Sequence, residues 1–231
     1  MIEDVLVLVC KRPGLGKGKQ RLAAGLGPDA ANRIAEAMLA CALEDARAWP
    51  CSVMIAPANR DDYSWAENLL PEAGSKVRVQ PQADGNLGQR LNTLDHTLRN
   101  AGLERLFYIG SDAPALGAED YAAAREALVN HDTVLVPSSD GGVVLMASRK
   151  PWPELNGLPW STASLGLLLE AACRAAGHSL ALLSPSFDVD EEADAIRLIT
   201  ALRQDPRPRR RALLKLVSHL VQFRGAGHAS V

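Results

Sequence analysis

Val5-Leu6-Val7-Leu8-Val9-Cys10-Lys11-Arg12-Pro13-Gly14-Leu15-Gly16-Lys17-Gly18-Lys19-Gln20-Arg21 opens as an unbroken apolar run and changes abruptly into a loop with five positive side chains and three glycines. Short apolar runs of this kind alternate with amphipathic stretches along nearly the whole chain, the signature of an α/β protein with a mainly parallel sheet. The other strand candidates are Ser52–Ala56, Lys76–Val79, Arg105–Ile109 and Thr133–Val136, each bounded by Gly, Pro, Asn or Asp. Val143–Ala147 and Ser179–Leu183 extend the sheet, one of them antiparallel. Between them Pro28–Ala48 carries Ile34, Met38, Leu39 and Leu43 at helical spacing. Tyr63–Leu70, Leu87–Arg99, Ala118–Val129, Thr162–Ala176 and Glu191–Leu202 complete the helices. One domain over residues 1–204 is expected, followed by a basic amphipathic extension over 205–231.

Composition excludes several classes. With 47% hydrophobic and 23% charged residues the chain is neither disordered nor membrane-embedded. Its 25 basic and 27 acidic side chains leave a net charge of −2, so no whole-molecule field favours nucleic acid and any anion site is local. Cys10, Cys41, Cys51 and Cys173 stand apart from one another and read as buried small hydrophobes. The acidic start, Met1-Ile2-Glu3-Asp4, and the short run to Cys10 do not match a signal or membrane segment, so a cytoplasmic location is expected.

Six stretches carry candidate chemistry. In the loop Lys11–Arg21, glycines let backbone N–H groups approach an anion and Lys11, Arg12, Lys17, Lys19 and Arg21 neutralise it. It is neither a P-loop nor a dinucleotide fingerprint, and a solvated flexible loop is the alternative. Asp112 follows a strand, where a carboxylate either holds a hard divalent cation or starts a turn before Pro114. Asp140-Gly141-Gly142 is a hairpin turn between two strand-like runs. In an extended segment Asp188 and Asp190 face the same way and can address one cation, or Asp190 caps the following helix, or both. Gln80-Pro81-Gln82-Ala83-Asp84-Gly85-Asn86-Leu87-Gly88-Gln89-Arg90 is a polar, glycine-containing turn entering a helix and either contacts a base or ribose or is a loop with a capped exit. Trp160 is read as packing, with Ser161 or Thr162 as a cap.

In order, these stretches resemble the nucleotide-diphospho-sugar transferase superfamily with its glycosyltransferase-A-like fold. They are most similar to a bacterial family of radical-SAM/selenodomain-associated, or arsenosugar-biosynthesis, transferases. The resemblance rests on Lys11-x-Pro13-x-x-Gly16-Lys17-x-Lys19-x-Arg21-Leu22, Leu87-Gly88-x-Arg90, Gly110-Ser111-Asp112-x-Pro114-x-Leu116, Asp140-Gly141-Gly142, Pro159-Trp160-Ser161-Thr162 and Asp188-x-Asp190. It implies a three-layer α/β/α sandwich and transfer from a nucleotide-activated donor to a small-molecule acceptor, with Mg²⁺ or Mn²⁺ on the diphosphate. On that resemblance Lys11, Arg12, Gly14, Gly16, Lys17, Lys19, Arg21, Gly85, Asn86 and Gly88 bind the nucleotide. Asp112, Asp188 and Asp190 hold the metal, and Asp112 and Asp140 serve catalysis, Asp140 on the acceptor side. The chain departs from the family at Gln20, Ala113, Ala115 and Val143-Val144, the last three near the expected acceptor pocket.

A glycosyltransferase is the leading expectation. A nucleotidyltransferase that takes a nucleoside triphosphate and releases pyrophosphate shares the fold, and a nucleotide-binding relative without catalysis is the third possibility. In the extension, Arg203, Arg207, Arg209, Arg210, Arg211, Lys215 and Arg224 surround Leu213, Leu214, Leu216, Val217, Leu220 and Val221. That pattern suits either weak contact with an anionic membrane or a peripheral helix docked on the protein itself or a partner.

Overall fold

The computed structural model describes residues 3–16 and 18–228, with side chains through residue 222. β1 (Asp4–Cys10) pairs in parallel with β2 (Val53–Pro57) on one side, and β2 with β3 (Val77–Val79). On its other side β1 pairs in parallel with β4 (Arg105–Ile109), so Val7 stands between Met54 and Tyr108. β5 (Thr133–Pro137) and β6 (Val143–Ser148) form a hairpin, and β6 inserts antiparallel between β4 and β5. β7 (Leu180–Leu182) runs parallel to β5, giving the order β3-β2-β1-β4-β6-β5-β7. Both additional strands therefore join the sheet, and β6 is the antiparallel one.

Side-chain alternation sorts these strands onto two covered faces. Val5, Val7, Met54, Ala56, Leu106, Tyr108, Leu135 and Met146 share one core with Leu91, Leu94 and Leu98 of α4 (Leu87–Asn100) and Leu169 and Cys173 of α6 (Leu165–Ala175). The residues between them, Leu6, Leu8, Val53, Ile55, Phe107 and Val134, are equally buried. On that second face the Trp49 ring lies 5.1 Å from Phe107 and 6.1 Å from Tyr121 of α5 (Ala118–Asn130). Helices on both faces of one sheet make the expected α/β/α layering.

The described chain divides into two compact units. Unit 1 contains the chain up to Arg12, Ala46–Gly110 and Leu116–Phe187, and so the whole sheet. Unit 2 contains Pro13–Asp45, Ser111–Ala115 and the chain from Asp188 onward. It holds α1 (Gln20–Leu26), α2 (Pro28–Ala48) through Asp45, α7 (Glu192–Ala201) and α8 (Pro208–His228). α8 packs on α7 and α1, with Leu213 and Val217 fully buried and Leu214, Leu216, Leu220 and Val221 half-buried. Arg224 of the basic extension lies outside the described side chains. Among the described residues no helix is long and apolar enough to cross a membrane.

Two helix boundaries differ from expectation for local reasons. The helix read from Thr162 starts at Leu165, because Ser161 takes a positive φ of 66° and the Thr162 hydroxyl bonds back to the Pro159 carbonyl at 2.7 Å. Ser164, rather than Ser161 or Thr162, therefore occupies the cap position. The helix from Tyr63 ends at Glu67, the second, α3 (Tyr63–Glu67), being a single short turn before Pro71. Of the cysteines, Cys10, Cys41 and Cys173 are buried as read, whereas Cys51 is half-exposed. Burial pushes the thiols of Cys10 and Cys41 up to about 12, which keeps them protonated and inert.

Close backbone approach explains one glycine of α4. A Cβ at Gly88 would stand 2.0 Å from the Leu155 carbonyl oxygen, so α4 can lie against the 152–160 segment only without a side chain there. Gly88→Ala is expected to lower unfolding stability by about 2 kcal/mol or more, as overpacking against backbone does. Chemical denaturation measures this, and an unchanged midpoint would contradict the packing role.

Candidate functional site: a carboxylate cluster closed by Lys19

The sequence between β1 and α1 ends on a strained residue. Lys19, at the N-terminal boundary of α1, has φ 48° and ψ 38°, the left-handed region that costs a residue with a Cβ about 1–2 kcal/mol. Its side chain is only 16% exposed, and its Nζ donates to Asp112 Oδ2 at 3.1 Å and Asp190 Oδ1 at 2.6 Å. Arg21, two residues on, donates through Nη2 to Asp190 Oδ2 at 2.6 Å and through Nη1 to Glu191 Oε1 at 2.8 Å.

Two distant segments supply the carboxylates. Asp112 follows β4 by three residues, and Asp188 and Asp190 precede α7. The Val189 N–H donates to the Asp112 carbonyl at 2.9 Å, fixing one segment against the other. Val189 is fully buried while Asp188 and Asp190 are half-exposed, which is the alternation of an extended segment with both aspartates on one side. The cap role is taken elsewhere: Asp194 accepts the backbone N–H groups of Asp190 and Glu191, leaving the Asp190 carboxylate to Lys19 and Arg21. One oxygen from each of Asp112, Asp188 and Asp190 lies within 4.8 Å of the others.

Electrostatics follow from this crowding. Burial raises the Asp190 pKa, but Lys19 and Arg21 outweigh it and hold the carboxyl below its ordinary value. Burial likewise lowers the Lys19 pKa, and Asp112 and Asp190 carry the ammonium above its ordinary value. The donor set fits a hard divalent cation, which takes oxygen ligands at about 2.0–2.6 Å and can therefore bridge oxygens this close. The ammonium of Lys19, already bonded to two of the three carboxylates, is a built-in cation at the same place.

A third segment supports the cluster. Arg210 of α8 is fully buried, and its guanidinium donates to the carbonyls of Pro114 (3.2 Å) and Cys41 and to the carboxylates of Glu44 (3.1 Å) and Asp45. It thus clamps the segment carrying Asp112 to α2. Arg207 joins it on Asp45 at 2.9 Å. In the sequence Arg210 is one of seven basic residues that surround the apolar positions of the extension. The signal that could have separated it is its spacing of three and seven residues from Leu213 and Val217, the buried stripe of α8. Glu191, the second partner of Arg21, is not among the site residues expected from sequence.

The remaining expected site residues fall in different places. Gly14 and Gly16 belong to unit 2, with Gly16 at a positive φ of 72°. Lys17 lies outside the described residues. Lys11 and Arg12 are exposed in unit 1, Arg12 only 3.8 Å from Asp62 at its nearest. Gly85, Asn86 and Gly88, also in unit 1, form the capped exit that was one alternative. Asn86 and Gln89 cap each other reciprocally at 3.0 and 2.9 Å, and the Asn86 amide also donates to Asn156. Asp140 is exposed on the β5–β6 turn of unit 1 and accepts the Gly142 N–H at 2.9 Å, the hairpin turn read from sequence. Gly141, at φ +91°, is packed so tightly that a Cβ would stand 2.0 Å from the Ala163 carbonyl. The Trp160 indole donates to Leu155 and packs on the core.

Solved structures share this fold. A protein of Desulfovibrio desulfuricans G20, provisionally assigned as a nucleotide-diphospho-sugar transferase, superposes with a TM-score of 0.82 at 23% identity, covering 96% of this chain and 98% of that one. 4-Diphosphocytidyl-2C-methyl-D-erythritol synthase from Anaerococcus prevotii DSM 20548 gives 0.54 at 10% identity over 87% of this chain and 99% of its own. A CMP:2-keto-3-deoxy-manno-octonic acid synthetase complexed with CTP gives 0.50 at 12% identity with the same coverage. The fold is that of the nucleotide-diphospho-sugar transferases. By sequence the chain belongs to the family described as uncharacterized protein conserved in bacteria (DUF2064), whose model matches residues 38–162. That stretch includes Asp112 and Asp140 but not Lys19, Asp188 or Asp190. No curated protein matches the chain by sequence.

Two outcomes follow for this cluster. Arg210→Met leaves Glu44 and Asp45 without their buried partner and is expected to cost about 3–5 kcal/mol of stability in denaturant unfolding; a loss below about 1 kcal/mol would mean the clamp is dispensable. Because the Asp190 pKa is depressed on folding, its contribution is fully present above an unfolded value of about 4 and is lost as pH falls through the folded value. The stability gap between the protein and Asp190→Asn, measured without metal, should therefore shrink as the pH drops below about 4. A gap independent of pH would contradict the pairing with Lys19 and Arg21.

Proposed function

We propose that the protein is a transferase acting on a nucleotide-activated donor, transferring a glycosyl group to a small-molecule acceptor. Asp112, Asp188 and Asp190 hold Mg²⁺ or Mn²⁺, and Lys19 and Arg21 are the cations that meet donor phosphate oxygens. The observation that carries this reading is the convergence of three carboxylates, from two segments far apart in sequence, on the ammonium of Lys19. A carboxylate cluster with adjacent fixed cations suits a ligand that brings a divalent cation and several negative charges together.

The chemistry a bound cation supplies is neutralisation of the charge that builds on a departing phosphate. The chain's own residues do the rest by positioning. Arg21, held by Asp190 and Glu191, presents a fork suited to phosphate oxygens, and Lys19 adds a point charge. Arg210 keeps the segment of Asp112 in register with α2. In glycosyl transfer the bond from sugar carbon to phosphate oxygen breaks with its electron pair leaving on the nucleotide, a bond to the acceptor hydroxyl oxygen forms, and the hydroxyl proton passes to solvent.

Nucleotidyl transfer is the second reading, supported by the likeness to 4-diphosphocytidyl-2C-methyl-D-erythritol synthase and to the synthetase solved with CTP. There the acceptor oxygen would attack the α-phosphorus and pyrophosphate would leave. Incubating the full chain with nucleotide sugars and nucleoside triphosphates, with Mg²⁺ or Mn²⁺ and an acceptor panel, separates the two by product. Release of nucleotide from a nucleotide sugar is expected, and pyrophosphate release would favour the second reading. Asp112→Asn should reduce turnover by about 10²-fold or more, as loss of a principal charge-stabilising group does. Undiminished turnover in that variant would overturn the assignment of the cluster.

A further inference from the structure

Lys19 presents a problem that donor binding alone does not explain. Its ammonium is bonded to Asp112 Oδ2 and Asp190 Oδ1, so it is held by two of the three carboxylates assigned to the metal, at a residue whose backbone is strained. A divalent cation on those carboxylates would face the ammonium across a distance no longer than a pair of hydrogen bonds, and the two positive charges repel. An ammonium driven off its carboxylates must regain a counter-ion or water, since a partly buried charge without either is costly.

We infer that Lys19 and the divalent cation are alternative occupants of the Asp112–Asp190 cluster, so that cation entry expels the Lys19 ammonium and converts it into a binding group for a polyphosphate. This rests on the metal reading of the cluster given above. With the cation absent, Lys19 neutralises the carboxylates and lets unit 2 fold with its acidic residues together. With the cation present, the freed ammonium favours an anion with several charges. Cation and polyphosphate then bind cooperatively, each raising the affinity of the other by the same factor. A cation alone binds weakly because it must first displace the lysine. Arg21 does not substitute for this exchange, because its second nitrogen is bonded to Glu191, outside the triad.

The test compares the full chain with Lys19→Met and Lys19→Arg, using Mn²⁺ and inorganic triphosphate as probes. Electron paramagnetic resonance of free Mn²⁺ gives the cation affinity without triphosphate, and calorimetry gives triphosphate affinity at saturating Mn²⁺. Lys19→Met is expected to bind Mn²⁺ about tenfold more tightly, equivalent to about 1.4 kcal/mol, and the Mn²⁺-loaded variant to bind triphosphate about tenfold more weakly. Lys19→Arg, which keeps the charge, should stay close to the parent in Mn²⁺ affinity. Tighter Mn²⁺ binding with unchanged triphosphate affinity would overturn the inference, because the lysine would then lower metal affinity without changing place. Mn²⁺ bound by the parent and no more tightly by Lys19→Met would overturn the exchange while leaving the metal reading intact. Absence of Mn²⁺ binding in all three folded proteins would remove both.

Discussion

Carboxylates whose oxygens lie within 4.8 Å of one another, as those of Asp112, Asp188 and Asp190 do, repel unless a cation stands close by. Much of unit 2 answers that requirement. Lys19 and Arg21 arrive from the loop after β1, and Lys19 pays for its position with a left-handed backbone that glycine would adopt freely. Strain retained at a residue that bonds two acidic side chains fits a functional constraint better than a structural convenience. Lys19 and Arg21 thus offset part of the negative charge that the three carboxylates bring together.

The carboxylates are held by backbone hydrogen bonding and buried charge, beside the buried side chain of Val189. Val189 ties the segment of Asp188 and Asp190 to the carbonyl of Asp112, and Arg210 ties the next turn of that loop to α2. A guanidinium suits the second task because its planar fork can satisfy two carbonyls and two carboxylates at once. The C-terminal helix is thus part of the framework that fixes Asp112, and its apolar stripe of Leu213 and Val217 is covered within unit 2 by α7 and α1.

The strands were legible because each is short, apolar and bounded by turn residues, whereas which of the two added strands runs antiparallel was left open until β6 was seen paired with β4 and β5. The helix α2 was legible to the residue, because Gly27-Pro28 starts it and its apolar spacing is regular. The start of α6 was not, since nothing in Pro159–Ser164 signals that Ser161 adopts a left-handed turn and that Thr162 bonds backwards. In the site, Asp112 stood out by its position after a strand and Asp188 with Asp190 by theirs in an extended segment, with a turn or a cap as the alternatives, and only the family resemblance grouped all three as the structure does. The pairing of Lys19 with two of them was not legible, because an exposed-looking basic loop gives no sign that one of its lysines turns onto carboxylates 93 and 171 positions away. Arg210 was hidden for the same reason, as three consecutive arginines differ only in which one shares the face of the buried leucines.

On the reading proposed above, Asp112, Asp188 and Asp190 form a divalent-cation site that Lys19 closes when the cation is absent. Anomalous diffraction at the manganese edge from crystals of the full chain soaked in Mn²⁺ tests it most directly. A manganese peak is expected among the three carboxylates, with Lys19 Nζ withdrawn beyond hydrogen-bond distance from Asp112 and Asp190. No peak at the cluster, or manganese bound there with both lysine contacts intact, would contradict it.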